Sequence, residues 1–129
     1  MAQAKPMTVK KKFNETVKNM ESLGVYKPEF RDTIQRYAEL SLDYERTKQE
    51  WIAGGCKITE AYTNKAGATN ERKTALYQVL ENLRKELLDM EGVLGLTPKG
   101  LKALQKELTT EDKSDNKMIG LAQLLGNTI

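Results

Sequence analysis

The side chains in this sequence best placed to do chemistry are cationic. Lys10, Lys11, Lys12 and Lys18 fall in one short stretch near the N-terminus, and Lys57, Lys65, Arg72 and Lys73 fall in a second stretch near the middle. An ammonium is a compact point charge without the fork of a guanidinium, so a mostly lysine set suits phosphate neutralisation rather than base reading. The formal net charge is only +3, but it is unevenly spread. Residues 1–27 carry six Lys against two Glu, and residues 56–74 carry four basic groups against two acidic ones. Residues 28–55 and 75–96 are net acidic. Clustered cations displace counterions from a polyanion, so these eight residues are the candidate contacts to one.

Other chemistries lack their residues. The chain has no histidine, which excludes a Ser-His-Asp triad and most zinc sites. Its single cysteine, Cys56, has no disulfide partner in the chain and no imidazole to activate it. No glycine-rich loop ends in Gly-Lys-Ser or Gly-Lys-Thr, so no ordinary cradle for ATP phosphates is present. Carboxylates at helical spacing, such as Glu39 and Asp43, read as surface charges rather than an acid–base dyad. We therefore expect no enzymatic activity, no cofactor and no metal. No apolar run approaches the length of about 20 residues that spans a bilayer, and the N-terminus lacks the apolar segment of a signal peptide. The expectation is a soluble intracellular protein with no membrane contact.

The cations must be positioned by helices. Residues 1–7 show no periodicity and read as a disordered arm. From Thr8, an apt N-cap, apolar residues recur at Val9, Phe13, Val17, Met20 and Leu23, one face of a short helix that Gly24 stops. The lysines lie on its other side. Pro28 opens a second helix, where its missing N–H costs nothing. That helix runs to Gly54-Gly55, about 26 residues or roughly 40 Å. Its stripe holds Phe30, Ile34, Tyr37, Ala38, Tyr44, Trp51 and Ile52, with Leu40 and Leu42 beside it. Tyr37, Tyr44 and Trp51 are seven apart, a ladder suited to packing or to an oligomer contact more than to stacking bases. A third helix, from about residue 74 to 94, carries Leu76, Val79, Leu80, Leu83, Leu87, Met90 and Leu94, with Glu81 and Lys85 placed to pair. Thr97-Pro98 then signals a short fourth helix with Leu101, Leu104 and Leu108 inward and Lys99, Lys102 and Lys106 outward.

Between the long helices, residues 58–73 have no helical period and hold Gly67, Asn64, Asn70 and several Thr. This stretch should fold the chain back and lay its flanks antiparallel, with at most a short extended piece over 57–62. The expected architecture is all-α: a long antiparallel helical hairpin with a short N-terminal and a short C-terminal helix. One domain spans residues 8–108, and residues 109–129 form a flexible tail whose apolar segment 118–125 suits partner docking. A small chain built on long helices covers itself poorly, so self-association is expected.

Three segments resemble, in order and spacing, the small terminase subunits of tailed phages. They are Tyr26-Lys-Pro-Glu-Phe-Arg-Asp-Thr-Ile-Gln-Arg-Tyr-Ala38, Thr63-Asn-Lys-Ala-Gly-Ala-Thr-Asn70 and Leu94-Gly-Leu-Thr-Pro98, and the likeness covers residues 26 to about 108. Two departures stand out. Relatives usually have Pro where this chain has Glu71, and many carry Arg where it has Leu101, leaving Lys99 and Lys102 to act at that corner. The resemblance implies a non-catalytic packaging factor in the host cytoplasm. It would form a homo-oligomeric ring, bind viral DNA, deliver it to the large terminase subunit and modulate that subunit's ATPase; the charge reading adds that the DNA is duplex and that the eight cations named above contact it. A ring would gather weak patches into a collar. The rival reading is a helical adaptor that binds a protein partner and touches DNA only incidentally.

Overall fold

The computed structural model describes residues 6–109. Helix α1 spans Val9–Ser22. A 3-10 turn over Pro28–Phe30 leads into α2, Arg31–Ala53. Strands β1, Thr59–Thr63, and β2, Thr69–Lys73, form an antiparallel hairpin. Helix α3 spans Ala75–Val93, and a fourth helical stretch, α4, is described over residues 98–109. Residues 1–5 of the expected arm, and nearly all of the expected tail with its 118–125 segment, lie outside the described residues. Pro6 and Met7 are described, and they line a groove against Leu42, Glu45, Arg46, Gln49 and Glu50 of α2.

The local stop and start signals act as their chemistry dictates. The Thr8 hydroxyl accepts from the Lys11 N–H at 3.1 Å, satisfying one of the free donors at the start of α1. Gly24, at φ +73°, ends that helix while the Val25 N–H reaches back to the Met20 carbonyl at 3.0 Å. The Thr97 hydroxyl accepts from the Gly100 N–H at 3.0 Å, opening α4.

α2 and α3 pack antiparallel, and the aromatic ladder keeps their register. The Tyr37 hydroxyl donates to Glu91 Oε1 at 3.0 Å, Arg84 Nε donates to the Tyr44 hydroxyl at 3.3 Å, and the Trp51 ring lies 6.0 Å from that of Tyr77. The rungs step by seven residues on both helices, in opposite directions. The ladder is therefore used inside the protomer, as packing.

The core gathers at one end of this rod. Met20 and Val25 from the α1 side, Ile34 and Tyr37 of α2, Leu87 and Leu94 of the α3 side, and Leu104 of α4 form one buried cluster. Phe13, Val17, Met90, Leu101 and Leu108 pack against it. In the other half of the rod, Ile52 and Val79 are exposed, no residue of α2 beyond Ser41 is buried, and Leu80 of α3 is the one buried side chain among the described residues. The fourth helix closes the cluster by an unusually close approach: a Cβ on Gly100 would meet the carbonyl oxygen of Gly92, and its Cα and carbon at 2.7 Å.

The expectation of an all-α chain needs one correction. The fold is mostly helical, but residues 58–73 are an ordered β-hairpin rather than a plain turn. Thr is β-branched and fits a strand, and Thr59, Thr63 and Thr69 hold the two strands in line with Tyr62. The Asn64 side chain closes the loop by accepting from the Ala66 and Ala68 N–H groups, both at 3.0 Å. Lys73 of β2 holds the Glu81 carboxylate at 3.0 Å, so Glu81 is engaged by the hairpin base rather than one turn along its own helix.

Tyr37 is a sensitive reporter of this fold. Burial, and then the hydrogen bond to the Glu91 carboxylate, push its phenol well above its ordinary value of 10.0. The folded state therefore keeps a proton that the unfolded state has lost once the pH passes about 10. Stability should be fully present below that pH and fall as pH rises above it. Tyr37→Phe should remove this alkaline slope and cost about 1 kcal/mol at neutral pH. Denaturant titrations at neutral and alkaline pH check both outcomes.

Candidate nucleic-acid interface

The N-terminal group of cations is set on α1. Lys10, Lys11 and Lys18 are exposed, and none has a described partner. Lys12 differs. It is half-buried, with its ammonium 5.4 Å from the centre of the Tyr37 ring, so it braces α1 on α2 as well as carrying charge. The first turn of α1 contains no acidic residue. Three lysines thus crowd the positive end of the helix dipole, an arrangement that is unfavourable alone and is relieved by an anion.

Across a shallow groove from Lys10 lies a cation that the sequence reading missed. Val9, Lys10, Phe13, Asn14, Arg31 and Gln35 line this groove. The Arg31 guanidinium sits 5.2 Å from the Phe13 ring centre and 3.5 Å from the Tyr26 hydroxyl. Only the crossing of α1 over the start of α2 places Arg31 beside Lys10, and no spacing in the chain shows it.

The second group is on the hairpin and divides in two. Lys57, at its base, and Lys65, in its loop, are exposed with no described side-chain partner. Arg72 is committed: it pairs with Glu60 across the strands at 3.2 Å and lies 4.1 Å from the Tyr62 ring centre. Lys73 is committed to Glu81. Both pairs are exposed and worth little in energy, yet each neutralises a charge that was expected to face outward. The cations left without a described side-chain partner here are Lys57 and Lys65.

The structure does not merge the two groups. Tyr37, beneath Lys12, and Ala53, where the hairpin departs, are 16 residues apart on α2, or roughly 24 Å along the axis. The chain offers two basic zones rather than one patch. Among the described residues, no group of three or more His, Cys, Asp or Glu is placed to hold a metal, and no helix is long and apolar enough to cross a membrane.

Comparison with known proteins bears on what such a chain is for. The family model for the phage terminase, small subunit, matches residues 9–111, from the first residue of α1 to beyond the last described turn of α4. No curated protein and no solved structure matches the chain. The family match takes in most of the sequence, including the helical rod, the hairpin and both basic zones, and the chain therefore belongs to the phage terminase small-subunit family.

Proposed function

We propose that this protein binds double-stranded viral DNA and delivers it to the large terminase subunit, the ATPase and nuclease, to start genome packaging. It acts in the infected host cell, without catalysing a reaction itself, as a homo-oligomeric ring that modulates the large subunit's ATPase. Family membership supports a role in phage DNA packaging. The observation that carries the DNA-binding part is the first turn of α1, where uncompensated lysines face solvent against the helix dipole. The second zone, Lys57 and Lys65 with Arg72 and Lys73 in reserve behind their ion pairs, adds phosphate contacts at a distance. In a ring each zone repeats about the axis, so modest contacts multiply.

A second reading is a protein adaptor with incidental DNA contact. It is favoured by large apolar side chains left exposed on α3, Leu88 at 61% and Val93 at 64%. A gel-shift titration of the full chain on duplex DNA over a range of salt separates the two. Binding near physiological salt that weakens steeply as salt rises supports the proposal. No shift at physiological salt leaves the adaptor. Native mass spectrometry at micromolar concentration tests the ring, and a monomer there contradicts it.

A further inference from the structure

The groove between α1 and the start of α2 draws its lining from both helices. Lys10 and Asn14, one turn apart, come from α1, and Arg31 and Gln35, one turn apart, come from α2. Its volume is about 480 Å³, and no carboxylate lines it. Arg31 is exposed and, unlike Arg72, has no carboxylate in ion-pair reach among the described residues. Its guanidinium is instead seated over the Phe13 ring, 5.2 Å from the centre, and 3.5 Å from the Tyr26 hydroxyl. Phe13 and Tyr26 both pack on the buried cluster, so this seat is anchored to the core. A guanidinium lying on an aromatic face keeps its in-plane N–H donors for another partner. The groove thus sets a positioned, unpaired fork on one helix across from an unpaired ammonium on the other. That donor set fits a phosphate.

We propose that a single backbone phosphodiester of duplex DNA seats in this groove, held by the Arg31 fork and the Lys10 ammonium at once, and that Arg31 is the residue that positions the strand there. Arg31 offers two parallel N–H···O bonds to the two non-bridging oxygens, a geometry that a lysine does not supply. Lys10 adds charge from the other side, and the exposed Asn14 amide, with no described partner, adds a further donor. Gln35 is not counted, since its Nε2 already donates to Glu39 at 3.1 Å. Because Lys10 belongs to α1 and Arg31 to α2, the phosphate ties the two helices together. The inference rests on the DNA-binding reading above. It adds to that reading a directional contact, where the lysines alone give only charge.

The test is a double-mutant cycle on the full chain. Groups that hold one phosphate are coupled, whereas groups that hold different phosphates act independently. Arg31→Ala should weaken duplex binding about tenfold and Lys10→Ala about fivefold, while the double variant should lose about fifteenfold, against about fiftyfold for independent sites. Arg31→Lys keeps the charge and should still lose about fivefold, because the fork is gone. Fluorescence anisotropy with labelled duplex near physiological salt reads every variant. Losses that multiply overturn the shared phosphate, and Arg31→Lys binding as the wild type does overturns the fork. A packing role alone for Arg31 would lower the Tm of the DNA-free protein and leave the two losses uncoupled, which also sinks the proposal. Wild-type protein that binds no duplex ends the DNA-binding reading itself, whereas wild-type binding with uncoupled losses ends this inference alone.

Inorganic phosphate is the control ligand. If millimolar phosphate raises the Tm of the wild type, either substitution abolishes that rise, and duplex affinity is unmoved by both, the groove holds a free anion and the inference fails.

Discussion

Replacing Lys10, Lys11 and Lys18 together by alanine is expected to lower affinity for duplex DNA by about two orders of magnitude at roughly 0.1 M salt. Each lysine that neutralises a phosphate contributes about 0.9 to the slope of log affinity against log salt, so the slope should shallow by about 2.7 for the three. All three side chains are exposed with no described partner, so folding should be indifferent to their loss. Lys12 is left in place because its ammonium rests on the Tyr37 ring, and removing it would mix a packing loss with a charge loss. Fluorescence anisotropy with labelled duplex at four or five salt concentrations reads affinity and slope together. A slope equal to that of the wild type takes α1 out of the interface, whatever happens to the affinity.

Gly100→Ala should be the most damaging of the Gly→Ala changes in this fold. The new Cβ would meet the Gly92 carbonyl group and Cα, which are backbone and cannot rotate away. Either α3 and α4 move apart or α4 lifts off, and both expose Leu94 and Leu104, now 1% and 8% accessible. The expected loss is about 3 kcal/mol, a fall in Tm of about 10 °C or more for a domain of this size. Thermal unfolding followed by circular dichroism checks it. A Tm unchanged from wild type would mean that α4 is not held by this backbone approach. In the sequence Gly92 reads only as a weak point near the end of a helix; its use as a landing place for another backbone needs the crossing of two elements.

That contrast runs through the molecule. What was legible in the sequence is local chemistry: the Thr8 and Thr97 caps, the Gly24 stop, the antiparallel return of the chain and the inward stripes at Ile34, Leu80 and Leu87. Each depends on residues within a turn or two of one another, or on a 3.6-residue period that a buried face imposes. The hairpin escaped because a period of two marks a strand only when one face is buried, and here both faces are wet. Its Thr and Asn residues are equally at home in loops. The candidate cations were legible as residue types but not as free charges. Arg72 and Lys73 find Glu60 and Glu81 only through a strand register and the angle at which β2 enters α3. Arg31 shows the reverse, a cation outside both basic stretches that acquires Lys10 and Phe13 through the packing of α1.

The one-sided core gives the protomer an uneven stiffness. From Tyr37 and Leu87 toward α4, interlocked side chains make a firm anchor whose deformation would open buried apolar contacts. Beyond Ser41, the far half of the rod has a single buried side chain among the described residues, Leu80, and otherwise holds its shape by backbone bonds, surface pairs and the tilted Trp51–Tyr77 contact. That half should be the more compliant of the two, because fewer buried contacts oppose its deformation. A load applied at the hairpin would therefore bend the far half before it disturbed the anchor.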